Sequence, residues 1–166
     1  MVLIAVAVAI ILICFAGVLL FGAPYLPTLT PQVTIALDMA GLKSGQTLLE
    51  LGCGDGKVLV AAAQRGYNVV GYELNPILAM IAWLRTRRYG KRVRVKCANF
   101  WQGDWPPANA IFVFLLPKYM SKLDKKVTQQ YTTKLKVVSF AFKIPDKLIV
   151  KEQQGVFLYQ YQANSK

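Results

Sequence analysis

Apolar residues are distributed along this chain in two ways. From Met1 to Ala23 they run almost unbroken, with Gly17 and Gly22 as the interruptions. From Thr30 onward they come in short blocks of helical or strand-like spacing, punctuated by Gly, Pro and Asn. Thr30–Ala40 reads as a helix, with Thr30 as cap, Pro31 in the first turn, Val33, Ile35, Ala36, Leu37, Met39 and Ala40 as apolar positions, and Gly41 as terminator. Residues 47–51 form a short apolar strand, which passes through Gly52-Cys53-Gly54-Asp55-Gly56 into a helix over 57–65 closed by Gly66. Residues 67–73 are a second strand. Asn75 caps the next helix with Pro76 at its first position. That helix carries Ile77, Leu78, Met80, Ile81 and Leu84 and ends in Arg85, Arg87 and Arg88, cations that suit the negative end of its dipole.

Val93 and Val95 alternate with Arg92, Arg94 and Lys96, as on a half-exposed strand near a sheet edge. Residues 110–116 are continuously apolar, as in a strand covered on both faces. Residues 118–131 read as a polar helix, 137–142 as a strand, and 148–150 with 156–161 as a hairpin around Gln153-Gln154-Gly155. Alternating strands and helices with a terminal hairpin predict an α/β fold with a mostly parallel sheet.

Charge divides the chain. The 166 residues carry a formal net charge of +12, yet no charged side chain precedes Asp38. The leading run would measure roughly 35 Å as a helix, enough to cross a hydrocarbon core. No Lys or Arg precedes it, and Ile13 stands before Cys14 where a lipoprotein cleavage site would want a small residue, so an uncleaved anchor is expected. The expected organisation is a transmembrane anchor over 1–23, a linker over 24–29 stiffened by Pro24 and Pro27, and a globular domain over 30–166. Seven basic and no acidic residues fall within 85–96, which places the domain on the cytoplasmic side of a single-pass membrane protein. The basic stretches 85–96 and 118–136 fit an anionic membrane surface, a nucleic acid or a merely solvated face. Lack of histidine excludes a Ser-His-Asp triad, a Cys-His pair and an HExxH zinc site. Cys14, Cys53 and Cys97 have no CxxC spacing, so neither a disulfide framework nor a cysteine metal site is called for.

The strand, glycine loop and helix around residue 52 carry the chemistry. Glycines let the backbone turn tightly and approach a ligand, and the helix start offers free N–H groups. A dinucleotide fingerprint beginning at Gly52 would need glycine at position 57, which is Lys57. The pattern is instead Glu50-x-Gly52-x-Gly54-x-Gly56. An acid just before the first glycine is a poor neighbour for pyrophosphate and a good one for a cationic amino-acid end. Glu73, 21 residues after Gly52 at the end of the second strand, can accept both hydroxyls of a ribose. An ammonium group with a free ribose and no phosphate describes S-adenosylmethionine.

With these motifs the chain resembles the seven-β-strand (class I) S-adenosylmethionine-dependent methyltransferases. More narrowly, it is similar to the membrane-anchored mitochondrial protein-lysine methyltransferases of the ATP synthase c subunit and the adenine nucleotide translocase, and to their prokaryotic relatives. The likeness covers about residues 24–161. Its carriers are Pro24-Tyr25-Leu26-Pro27-Thr28, Glu50-Leu51-Gly52-Cys53-Gly54-Asp55-Gly56-Lys57, the run from Gly66 to Pro76 with Gly71-Tyr72-Glu73-Leu74-Asn75-Pro76 at its end, Asn99-Phe100-Trp101, and Phe114-Leu115-Leu116-Pro117. The resemblance implies a Rossmann-like, mostly parallel sheet with a C-terminal antiparallel hairpin. It implies that Glu50, Gly52, Gly54 and Gly56 line the methionine end, that Asp55 belongs to the cofactor site, that Glu73 holds the ribose, and that Asn99 stands where the family usually has an acid near the adenine amino group. Phe100 and Trp101 either cover the adenine or belong to the core.

Methyl transfer asks the protein mainly to position a nucleophile. A lysine must first lose its proton, which at pH 7 costs about 4.6 kcal/mol from a free pKa of about 10.4, and an apolar mouth reduces that cost. Leu115, Leu116 and Pro117 are the candidate mouth. The Asn/Asp-Pro-Pro-Tyr tetrapeptide of amide and base methylation is absent there, and no general base stands out. The expected activity is methyl transfer to a lysine of a membrane protein, by an enzyme held to the bilayer through its leader. A membrane-tethered RNA methyltransferase and a non-catalytic adenosylmethionine-binding protein remain as alternatives. Nothing in the sequence sets an oligomeric state.

Overall fold

The computed structural model describes residues 26–162 together with positions 1, 2, 4–6 and 9. Its elements in chain order are α1 (Thr30–Ala40), β1 (Thr47–Leu51), α2 (Lys57–Gln64), β2 (Asn68–Glu73), α3 (Pro76–Thr86), a 3-10 segment (Arg87–Arg92), β3 (Val93–Cys97), β4 (Ala110–Val113), a 3-10 turn (Pro117–Tyr119), α4 (Met120–Gln130), β5 (Leu135–Phe140), β6 (Lys151–Gln153) and β7 (Val156–Tyr161). The strands form one sheet in the order β3-β2-β1-β4-β5-β7-β6. The first five are mutually parallel, while β7 runs antiparallel to both β5 and β6. The expected mixed sheet with a terminal hairpin is therefore present.

Two apolar layers hold the sheet. On one face Val33 and Leu37 of α1, Leu59 of α2 and Ala82 of α3 pack on Leu48, Val69 and Phe112. On the other, Leu123 and Val127 of α4 pack on Leu49, Ile111, Val137 and Tyr159. Full burial of such side chains contributes about 1.5–3 kcal/mol each. β4 lies between β1 and β5 and is buried along its length. It stops at Val113, short of the apolar run, because its partner β1 leaves the sheet after Leu51 into the glycine loop.

Several local expectations are corrected. Thr30 does not cap α1; the cap position is Leu29, with no side-chain bond, and Pro31 and Gly41 take their expected places. β5 begins at Leu135 and ends at Phe140, because Ala141 adopts a left-handed φ of 69° that breaks the ladder. In the hairpin the paired strand is 151–153, and of residues 148–150 Val150 still reaches β7, its N–H donating to the Leu158 carbonyl at 2.8 Å. Gln154 and Gly155 both have positive φ, 48° and 75°. A tight two-residue turn sets the register from its own geometry, whatever the apolar content upstream. On α3 the buried stripe is Leu78, Ala79, Ala82 and Thr86, whereas Met80 and Trp83 are each 55% exposed. The helix is apolar nearly all round, so its composition does not announce the packed side. Asn75 does cap it, its Oδ1 accepting from the N–H groups of Ile77 at 2.9 Å and Leu78 at 3.3 Å.

The single-pass membrane assignment, and with it the cytoplasmic placement, is withdrawn. Among the described residues no helix is long and apolar enough to cross a membrane. A span needs roughly 20 consecutive apolar helical residues, and most of the run 1–23 on which that expectation rested lies outside the described residues, as does the start of the linker.

Candidate functional site

The C-terminal ends of the parallel strands share one edge of the sheet, and the strand order changes direction between β1 and β4, where open α/β sheets form a crevice. Glycines shape the loop there. Gly52, Gly54 and Gly56 have φ of 87°, 53° and 80°, a region that side chains avoid. The N–H groups of Gly52 and Cys53 both donate to the Tyr72 carbonyl, at 2.9 and 2.8 Å, which folds the loop back over β2. A Cβ on Gly56 would stand 3.0 Å from both Cα and Cβ of Ala82, so the start of α2 packs directly on α3. Gly56→Ala combines left-handed strain with this overpacking. It is expected to destabilise the protein by about 2–4 kcal/mol in chemical denaturation.

Glu73, 7% exposed at the end of β2, holds the loop together. Its Oε2 accepts from Gly54 N–H and its Oε1 from Asn75 N–H, both at 2.8 Å. One carboxylate thus joins the glycine loop to the start of α3, and each oxygen keeps a lone pair for a further donor. Glu50, 4% exposed, is different. Its Oε2 is buried and has no hydrogen-bond partner. Burial foremost, then the charges of Asp55 and Glu73, push its carboxyl well above the usual range. A buried carboxylate without a donor is costly unless a cation or a proton completes it. Between the glycines, burial likewise pushes the Cys53 thiol up, so it is an inert packing group.

Asp55, close enough for its charge to act on Glu50, is itself held by two partners. Its Oδ1 accepts from Lys57 N–H at 3.2 Å and its Oδ2 forms an ion pair with Arg85 of α3. Lys57 in turn donates its Nζ to the Thr28 carbonyl at 3.0 Å, tying the segment before α1 to the loop. Asn99 is half-buried beyond β3, and its Oδ1 accepts from Trp101 N–H at 3.0 Å. Phe100 and Trp101 are half-buried with ring centroids 4.7 Å apart, and the Phe100 carbonyl accepts from Trp105 Nε1 at 2.6 Å. Of the other candidates, Leu115 is buried in the layer under α4, Leu116 is half-buried and Pro117 is exposed. The ends of β1 and β2 thus gather Glu50, the glycines, Glu73 and Asn75, while Asn99 and Phe100 follow β3, with Phe100 and Trp101 packed against the layer under α4. Two contributions escaped the sequence reading. Asn75 closes onto Glu73 as well as capping a helix, and Arg85 anchors the loop; the Asn-Pro pair was visible, but its second role depends on the fold.

A seven-stranded sheet in this order, with a glycine loop after β1 and an acid ending β2, defines the Rossmann-like methyltransferase fold. Known proteins agree: an RNA methyltransferase from Salinibacter ruber, solved with S-adenosyl-L-homocysteine, superposes with a TM-score of 0.75 at 25% identity, covering 85% of this chain and 95% of that one. The ANTKMT methyltransferase domain matches residues 50–151, and the chain belongs to that family. It is 31% identical over 125 residues to the lysine N-methyltransferase of the ATP synthase c subunit from Xenopus laevis, covering 74% of this chain and 55% of that one. It is 30% identical over 149 residues to a protein-lysine N-methyltransferase of Saccharolobus islandicus, covering 82% of this chain and 92% of that one. The chain spans about half the length of the vertebrate relatives it matches.

Proposed function

We propose that this chain transfers a methyl group from S-adenosylmethionine to the side-chain amine of a lysine on a membrane-associated protein. The observation that carries the reading is the buried Glu50 carboxylate with its unpartnered Oε2 beside the glycine loop. That oxygen calls for a cationic donor, and the ammonium of the cofactor's methionine end supplies one. The free lone pairs of Glu73 suit the ribose hydroxyls. Asn99 suits the adenine edge and Phe100 its face. Gly52, Gly54 and Gly56 leave room for close backbone approach, while Asp55 serves the cofactor through the loop it pins to Arg85. The relatives named as lysine N-methyltransferases support the choice of acceptor.

Bound S-adenosylmethionine supplies a methyl group on a sulfonium, so that the lysine nitrogen forms the new N–C bond as the S–C bond breaks and its electron pair returns to sulfur. The acceptor nitrogen needs its lone pair, and its proton goes to solvent before attack. The protein's part is to hold that amine in an apolar crevice, on whose rim Leu116 and Pro117 stand, and to exclude water.

The test is incubation of the full chain with tritiated S-adenosylmethionine and cell membranes, followed by gel separation and acid hydrolysis. Label is expected in protein and in methylated lysine. Label released by nuclease would overturn the lysine reading in favour of RNA, to which the likeness to the Salinibacter enzyme and the net charge of +12 would then be referred.

A further inference from the structure

We propose that Phe114, Phe140 and Phe142 form the acceptor subsite, an aromatic seat for the lysine ammonium and its methylated product; this rests on the lysine-methyltransferase reading. At the ends of β4 and β5 the Phe114 ring neighbours both others, Phe140 packing against the layer under α1, α2 and α3 and Phe142 against the layer under α4. Phe114 and Phe140 have ring centroids 4.7 Å apart at an interplanar angle of 57°, and Phe114 and Phe142 are 6.5 Å apart at 25°. All three are half-buried, so part of their surface is open.

Register places the seat beside the methyl-transfer centre. Val113 is level with Leu51 of β1 and with Ser139 of β5. Phe114 and Phe140 each follow one residue past these last paired positions, and Gly52 follows Leu51 into the loop. Glu50 pairs with Phe112, and parallel partners direct their side chains to the same face. Phe112 packs in the layer under α1, α2 and α3, and Phe140 packs against that same layer. The seat thus adjoins Glu50 on its β4–β5 side, while Asn99 and Phe100 follow β3 on the other side of β1. The adenine and the acceptor would approach from opposite flanks.

The backbone holds the rings at a cost. Phe142 N–H donates to the Phe140 carbonyl at 2.9 Å across Ala141, whose φ is 69°. This tight turn is strained for a residue with a Cβ. It is clamped from both sides, by the Ser139 hydroxyl donating to the Phe142 carbonyl at 2.6 Å and by Ala141 N–H donating to the Gly155 carbonyl at 2.8 Å.

Ring faces attract an ammonium through their quadrupole but offer it no hydrogen-bond acceptor. The rings favour the arriving ammonium while the loss of its water favours the neutral amine, and with no acceptor engaged the amine's lone pair is free to attack once the proton has gone to solvent. The product keeps its charge after each methyl is added, and the rings hold it equally without a polar partner.

The test uses the full chain, tritiated S-adenosylmethionine and a peptide with a single lysine. Each Phe→Leu change at 114, 140 or 142 is expected to raise the peptide KM about fivefold, with cofactor affinity by calorimetry unchanged; Phe114→Tyr should restore it. Mono-, di- and trifluorophenylalanine at position 114 keep the shape while draining the ring face, so KM should climb with each fluorine even where a leucine variant folds poorly. Lysine transfer by the parent chain with a KM indifferent to fluorination overturns the subsite and leaves the function standing. Cofactor binding by the parent chain without lysine transfer either to the peptide or to cell membranes overturns the function and the subsite with it.

Discussion

Replacing Glu73 by alanine is expected to remove cofactor binding and to weaken the fold at the same time. The two oxygens of this carboxylate already accept the N–H groups of Gly54 and Asn75. Alanine leaves both donors without a partner in a buried place, at about 1–3 kcal/mol each. The glycine loop is then released from the start of α3, and the ribose loses its acceptors. Bonds to a charged group contribute roughly 1.5–3 kcal/mol apiece, so affinity for S-adenosylmethionine should drop on the order of a hundredfold or more. Calorimetry and chemical denaturation on the same variant read the two losses separately. Glu73→Gln keeps one acceptor and should fall between. Full affinity in the alanine variant would move the ribose site elsewhere.

Glu50→Gln is expected to act in opposite directions on stability and on binding. Glu50 is buried with an unpartnered oxygen, and burial, Asp55 and Glu73 raise its carboxyl pKa in the native state. A group with a raised native pKa leaves stability intact below its unfolded value, about 4.3 for Glu. Stability is then lost as pH rises through the native value. The neutral amide escapes that loss, so the variant should melt higher than the parent at neutral pH and show a flatter stability profile above the unfolded value. Its affinity for S-adenosylmethionine should fall roughly tenfold to a hundredfold, because the ammonium loses a charged partner. Pairing with the ammonium also requires Glu50 to release any proton it holds. Calorimetry in buffers of different ionisation enthalpy should detect proton release in the parent and none in the variant. Equal affinity in the two would exclude Glu50 as the ammonium's partner.

These two acids were both legible in the sequence, and their difference was not. Glu50 and Glu73 each end a strand ahead of a crevice, and spacing alone assigns them to one ligand. That Glu73 is satisfied by two backbone donors while Glu50 has an oxygen with none follows from where Gly54 and Asn75 come to rest. Asp55 shows the same limit. Its place between two glycines suggests a ligand contact, yet Arg85, thirty positions along the chain, takes its carboxylate.

Local chemistry determined the elements: Asn75-Pro76 starts α3, Gly41 ends α1, and the glycines turn the loop after β1, each through a backbone requirement that a few neighbouring residues satisfy by themselves. The alternation of strands and helices was set by apolar spacing, and so was the parallel sheet. Tertiary structure alone decided the register of the terminal hairpin, the packed side of α3 and the meeting of Phe114 with Phe140 and Phe142. The last two depend on partners remote in the chain, the first on the backbone angles of its own turn. A turn with two positive φ angles overrules the apolar content of residues 148–150, Gly56 brings the start of α2 directly onto Ala82 of α3, and Ala141 is held in its left-handed turn by Gly155. Periodicity reports which residues prefer to leave water; it carries no information about which surface comes to cover them.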